Sequence, residues 1–180
     1  MKTVLKIAFA FILILYSVNA YSQNDIPKPE DVILNPNFDK YVGTWKWENN
    51  ESCFTLILRK ILKKITPTGD YKADMLIGYH EYKKDGTVII SSLNLDNLNV
   101  DQNKHTIQGG ITPNKNELIL LITTLENKNG VNAAIEYIDT NHIKIIRYDK
   151  LNLPIISSPG HPYREAPTID YPSNIILTKQ

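Results

Sequence analysis

The run Ala73–Leu93, ADMLIGYHEYKKDGTVIISSL, decides the fold class. Two apolar stretches, Ala73 to Tyr82 and Thr87 to Leu93, flank Lys83-Lys84-Asp85-Gly86, and the Asp-Gly pair supplies the positive φ angles that a tight hairpin requires. The joined strands are antiparallel neighbours. The same pattern, short runs rich in Ile, Leu, Tyr and Thr separated by turn residues at roughly ten-residue spacing, continues in both directions and marks antiparallel β structure.

Upstream, Thr44 to Glu48 forms the first strand, with Trp45 and Trp47 on one face. The second begins near Ser52. Phe54, Leu56 and Leu58 alternate there with Cys53, Thr55 and Ile57, so both faces are apolar and the strand is buried or bent. Its continuation, Arg59-Lys60-Ile61-Leu62-Lys63-Lys64, has two readings. Leu58, Ile61, Leu62 and Ile65 lie at helical spacing opposite the basic residues, as in an amphipathic helix suited to a membrane surface or an acidic partner. The stretch lacks a cap, however, and ends in the turn Thr66-Pro67-Thr68-Gly69. The favoured reading is a long twisted strand with a solvated basic face.

Downstream, an Asn/Asp-rich connection leads to strands at His105–Ile111, Glu117–Thr124, Val131–Tyr137 and His142–Tyr148. Residues 151–173 carry Pro154, Pro159, Pro162, Pro167 and Pro172 with Gly160, too many prolines for a central strand, and form a long loop across one end of the sheet. Asn174 to Lys179 is the last short strand. Eight to nine strands joined mostly by hairpins predict an all-β antiparallel meander closed into a barrel, because closure removes exposed edges.

The N-terminus has the grammar of an export signal: Lys2 and Lys6, an apolar run from Ile7 to Tyr16, and the small-residue exit Val18-Asn19-Ala20. Residues 1–20 are read as a signal peptide, cleaved after Ala20 or Ser22. The run falls short of the ~20 residues that cross a bilayer, so no transmembrane segment is expected in the mature chain. Residues 21–39, with Pro27, Pro29 and Pro36, read as an extended, partly mobile leader, and 40–180 as a single barrel domain. The expected location is the periplasm or the extracellular medium. One cysteine, Cys53, permits no internal disulfide and is expected to be packed rather than reactive. A formal net charge of +1 without a basic tail gives no nucleic-acid footprint.

No motif for catalysis, metal or cofactor emerges. His80, His105, His142 and His161 are scattered without ligand spacing. His80 and His142 could meet across a barrel, but individually satisfied histidines are the expectation. Asp96, Asn97, Asn99 and Asp101 lack the glycine and terminal glutamate of a calcium loop. Gly109-Gly110 marks a bulge or a barrel corner, and Asp70, Asp74, Glu81 and Asp85 flank turns. No serine has a nucleophile-elbow context. The chain is therefore expected not to be an enzyme, which would need a cleft joining at least two of His80, His142, Asp96 and Glu165. The loop segment with His161, Tyr163, Arg164 and Glu165 is either a strap or a lid over the barrel mouth.

Phe38-Asp39-Lys40-Tyr41-Val42-Gly43-Thr44-Trp45 resembles the opening motif of lipocalins, the calycin-type barrels. The resemblance implies structural roles for three residues. Gly43 turns the chain into the barrel, Trp45 plugs its closed end, and an arginine of the last barrel strand, here Arg147, packs over the tryptophan ring. As a whole the chain resembles an uncharacterised exported family of Bacteroidota, a domain of unknown function. The resemblance rests on Gly43-Thr44-Trp45, the apolar-then-basic second strand, Leu76-Ile77-Gly78 and the run Pro172-Ser173-Asn174-Ile175-Ile176-Leu177-Thr178-Lys179.

That resemblance implies no activity. The leading expectation is a non-enzymatic exported domain that binds a small apolar ligand. It fails if Met75, Ile77, Leu118, Leu120 and Ile122 fill the interior. The alternative is a protein–protein interaction module without a ligand cavity, working through the Pro-rich loop, the tyrosines and Arg59 to Lys64. An exposed aromatic patch beside a filled barrel would favour it.

Overall fold

The computed structural model describes residues 27–65, 70–96, 104–111, 117–124, 130–150 and 169–180. Residues 1–26, which include the expected signal peptide, the Asn97–Asp101 run and residues 151–168, with His161, Tyr163, Arg164 and Glu165, lie outside the described residues.

The described residues form ten strands: β1 (Val32–Ile33), β2 (Gly43–Glu48), β3 (Ser52–Lys64), β4 (Lys72–Lys84), β5 (Thr87–Ser91), β6 (Ile107–Ile111), β7 (Glu117–Thr123), β8 (Gly130–Asp139), β9 (His142–Lys150) and β10 (Ile175–Lys179). Among the described residues the helical content is two 3₁₀ turns, Pro36–Tyr41 and Leu93–Leu95. Eight strands close an antiparallel meander: β2, β3, β4, β6, β7, β8, β9 and β10, the last pairing back onto β2. β1 and β5 are additions on β4. No helix among the described residues is long and apolar enough to cross a membrane.

The hairpin that decides the fold forms as its residues dictate. Asp85 and Gly86 take φ of 50° and 73°, and β3 pairs with β4 without interruption from Ser52 to Lys64. The stretch Arg59–Lys64 is therefore strand, as the turn after it implies. Its basic face is largely neutralised: Arg59 pairs with Asp96, Lys60 with Asp39 and Asp74, and Lys64 with Asp70.

Alternation sets the interior. Trp45 of β2, Phe54, Leu56 and Leu58 of β3, Leu76 of β4, Ile107 of β6, Leu118, Leu120 and Ile122 of β7, Ala133 and Ile135 of β8, Ile143 and Ile145 of β9 and Leu177 of β10 form one buried cluster. Leu118, Leu120 and Ile122 thus help to fill the barrel. Met75 and Ile77 occupy the opposite face of β4 from Leu76 and lie outside that cluster. The register of β6 against β7 runs unbroken through Gly109 and Gly110, so the pair is not a bulge. Gly109 is small because Leu120 Cδ2 and Leu76 Cδ2 stand 2.9 and 3.1 Å from where its Cβ would be.

The segment expected to be a mobile leader is structured from Lys28 onward. Val32–Ile33 adds a parallel strand beside Lys72 and Ala73, and Asn35 N–H donates to Asp74 Oδ2 at 2.9 Å. Asn35 also caps the Pro36–Tyr41 turn, accepting from Asn37 N–H. That turn buries Phe38 and Tyr41 against the core, beside Trp45, and closes one end of the barrel.

Candidate functional site

The closed end is held by Trp45, whose indole N–H donates to Tyr41 O at 2.8 Å. The cation over its ring is Lys179, with Nζ 5.1 Å from the centroid. Arg147 takes a different place from the one the lipocalin resemblance implies. Its Nη1 donates to Glu117 Oε1 at 3.0 Å and its Nε to Asp149 Oδ2 at 3.1 Å, on the outside of the barrel. Position along β9 is the first cause: Thr178 pairs with both Lys46 and His142, so the start of β9 is level with Trp45 and Arg147 lies further along the strand, away from the closed end. A bulge then sets its face: Ala134 faces Arg147 while Ile135 faces Ile145, so Ile146 is an extra residue in β9. Ile143 and Ile145 point in, the bulge reverses the alternation, and Arg147 turns outward while Tyr148 turns in against the core.

The opposite end is different in kind. β4 lends its edge first to β6, through Leu76 to Gly78, and then to β5, from Glu81 onward. His80 sits at this fork with its side chain wholly buried. Ser92, just after β5, and Thr106, just before β6, meet beside it. His80 N–H donates to Ser92 Oγ at 2.9 Å, Ser92 Oγ lies 2.7 Å from Thr106 Oγ1, and Thr106 Oγ1 lies 3.1 Å from His80 Nδ1. On the far side of the ring, Tyr171 Oη is 3.0 Å from Nε2.

One proton arrangement uses every contact. Ser92 Oγ–H donates to His80 O at 3.2 Å, Thr106 Oγ1–H to Ser92 Oγ, His80 Nδ1–H to Thr106 Oγ1, and Tyr171 Oη–H to Nε2. The imidazole is neutral, since burial pushes its pKa down to about 4.

Around this chain stands an aromatic cluster. The Tyr171 ring stacks on Tyr148 at 5.4 Å and 29°, meets Phe54 edge-on at 5.8 Å and lies 5.9 Å from Tyr82. Burial raises the phenol pKa of both Tyr148 and Tyr171, so both stay protonated. The hydroxyl of Tyr148 is buried without a hydrogen-bond partner. An orphaned hydroxyl of this kind costs about 1–3 kcal/mol, and in a barrel that apolar residues could fill it marks the end where packing is subordinate to something else.

The whole chain, residues 1–180, matches a family of unknown function (DUF6705). The chain belongs to that family. No curated protein and no solved structure matches it.

The other sequence candidates of this DUF6705 chain are dispersed. His142 lies at the β8–β9 turn, bonded to Asp139 Oδ1 at 2.9 Å, and does not meet His80. Asp96 is bidentate to Arg59 outside β3. His105 is half-buried, with Nδ1 unpartnered and its pKa lowered by burial and by the Lys63 charge. His80, His142 and Asp96 thus share no cleft, and no group of three metal-ligating side chains occurs among the described residues. Cys53 is a half-buried free thiol. Sequence spacing missed Ser92, Thr106, Tyr148 and Tyr171; the available signal was His80 on the same strand face as Leu76 and Tyr82.

Proposed function

We propose that the protein is an exported, non-enzymatic barrel that binds a small, mostly apolar molecule at its His80 end. The observation that carries this reading is the unpartnered, buried Tyr148 hydroxyl beside the His80–Tyr171 hydrogen bond. Among the described residues, Trp45 and aliphatic side chains such as Leu58, Ile143 and Leu177 pack the closed end, while the polar side chains His80, Ser92 and Thr106 are buried at the aromatic end, which supports binding there. The likeness of Gly43-Thr44-Trp45 to the lipocalin opening, with a 3₁₀ turn covering that end, supports binding from the other. Both histidine nitrogens face hydroxyls instead of a carboxylate, and Ser92 reaches the ring only through Thr106, which supports binding over nucleophilic catalysis. The export grammar of residues 1–20 and the single thiol support a secreted or periplasmic setting.

A protein-interaction module is the second reading. The exposed run Val32, Ile33 and Leu34 along β1 favours it, while burial of Tyr41, Tyr79, Tyr82 and Tyr171 and neutralisation of Arg59, Lys60 and Lys64 count against the surface first expected. Native mass spectrometry of protein recovered from its own host, set against the denatured mass, separates the two. A small-molecule adduct lost on denaturation and absent from His80→Phe supports binding at this end. A bare polypeptide after incubation with host small-molecule extract sinks it, and the denatured mass fixes the cleavage site.

A further inference from the structure

We infer that Tyr171 is a resident occupant of the His80 end and that the ligand displacing it is a small phenol. This rests on the binding reading above and specifies its chemistry. Tyr171 belongs to no strand: it lies in the run 169–174 between β9 and β10, so its departure breaks no ladder pairing. Pro172 follows it, and Asn174, in the left-handed region at φ 56°, turns the chain into β10. The Tyr171 side chain sits in a slot lined by Phe54, Tyr82 and Tyr148 and ended by His80, and Ile169 packs on the core beside it.

The slot defines its occupant. Its walls accept one six-membered ring, edge-on to Phe54 and stacked on Tyr148. At its end His80 Nε2 is the acceptor, because Nδ1–H is committed to Thr106. The replacing group must therefore donate a hydrogen bond: a phenol fits, a bare arene leaves Nε2 unpaired, and a carboxylate brings an acceptor against an acceptor. A free ligand displaces Tyr171 only by gaining something Tyr171 lacks: an untethered phenol can settle so that its oxygen donates to His80 Nε2 and also accepts from the Tyr148 O–H, which Tyr171 leaves unpaired.

The test uses the mature full-length protein with 3-fluorotyrosine incorporated, the Tyr171 ¹⁹F resonance being assigned with Tyr171→Phe. Titration with p-cresol is expected to move that resonance saturably to an exposed position. Toluene and p-toluate are expected to act at least tenfold more weakly, and His80→Phe to remove the preference for the phenol. Two outcomes overturn the inference: a Tyr171 resonance that stays fixed while Tyr171→Ala binds p-cresol, which makes Tyr171 a permanent part of the core, or equal binding of toluene and p-cresol. Should Tyr171→Ala not fold, the fixed resonance alone is decisive. A non-phenolic adduct in the native mass spectrum overturns this inference and leaves the binding reading standing; a bare mass removes both.

Discussion

Lys179 crosses Trp45 so closely that its Cε stands 2.6 Å from where a Cβ on residue 43 would be, while its Nζ sits 5.1 Å from the indole centroid. Gly43 has φ 143°, a conformation L side chains rarely adopt, so its backbone requires glycine, and a Cβ there would also push the Lys179 side chain off the indole. Gly43→Ala is expected to destabilise by about 2 kcal/mol. Lys179→Ala should lose about 0.5–1 kcal/mol of cation–π attraction, and Trp45→Ala about 3–5 kcal/mol. Arg147→Ala, on the outer face, should fall near zero. Urea denaturation of the four variants gives the ranking; an Arg147 effect above that of Lys179 would contradict it.

The buried imidazole makes stability pH-dependent with a definite sign. His80 titrates at about 4 in the fold, against about 6.5 in an unfolded chain. A lowered folded value means that its contribution is fully present above pH 6.5 and is lost as pH falls towards 4, by up to about 3 kcal/mol. His105, also lowered, adds to the same limb. The difference between wild type and His80→Gln, followed by thermal unfolding from pH 7 to pH 4, isolates His80 and should shrink steadily on acidification.

Two glycines predict opposite tolerance. A Cβ on Gly78 would clash with Ile57 O, a backbone atom held in the β3–β4 ladder, so Gly78→Ala should cost about 3 kcal/mol or more. Nothing lies within 4 Å of a Cβ on Gly110, and Gly110→Ala should stay within about 0.5 kcal/mol of wild type. Chemical denaturation of the pair checks the contrast.

Tyr148→Phe deletes a hydroxyl that has no partner. It should leave stability unchanged or raise it by up to about 1 kcal/mol, while weakening ligand binding at the His80 end. A clear loss of stability would mean that the hydroxyl is bonded in solution, and would remove the observation on which the functional reading stands.

The architecture was legible because it is written locally. Asp85-Gly86 specifies a hairpin, Phe54, Leu56 and Leu58 specify a strand face, and Arg59–Lys64 continues that strand whatever the helical spacing of Leu58, Ile61 and Leu62 suggests. The site was illegible because it is assembled across distance. Ser92, Thr106 and Tyr171 lie 12, 26 and 91 residues from His80 and share no spacing rule. The docked leader escaped for a similar reason: β1 has two residues, too few to show a period, and depends on Asp74 and Lys72 for its place. Arg147 was misplaced because the lipocalin resemblance puts an arginine of the last barrel strand over Trp45, whereas here β9 meets that level at His142 and Lys179 supplies the cation; nothing in the residues around Ile146 announces the bulge that turns Arg147 outward.

That bulge behaves like a shift of reading frame within one strand. Before Ile146 the odd-numbered residues of β9 enter the barrel; after it the even-numbered ones do. Removing this one residue, while keeping every other, would deliver a guanidinium to the His80 end and put the phenol of Tyr148 in water. The chemical character of the His80 end is therefore set by a count of backbone units as much as by which side chains are present, and an insertion or deletion there would exchange which of them face it.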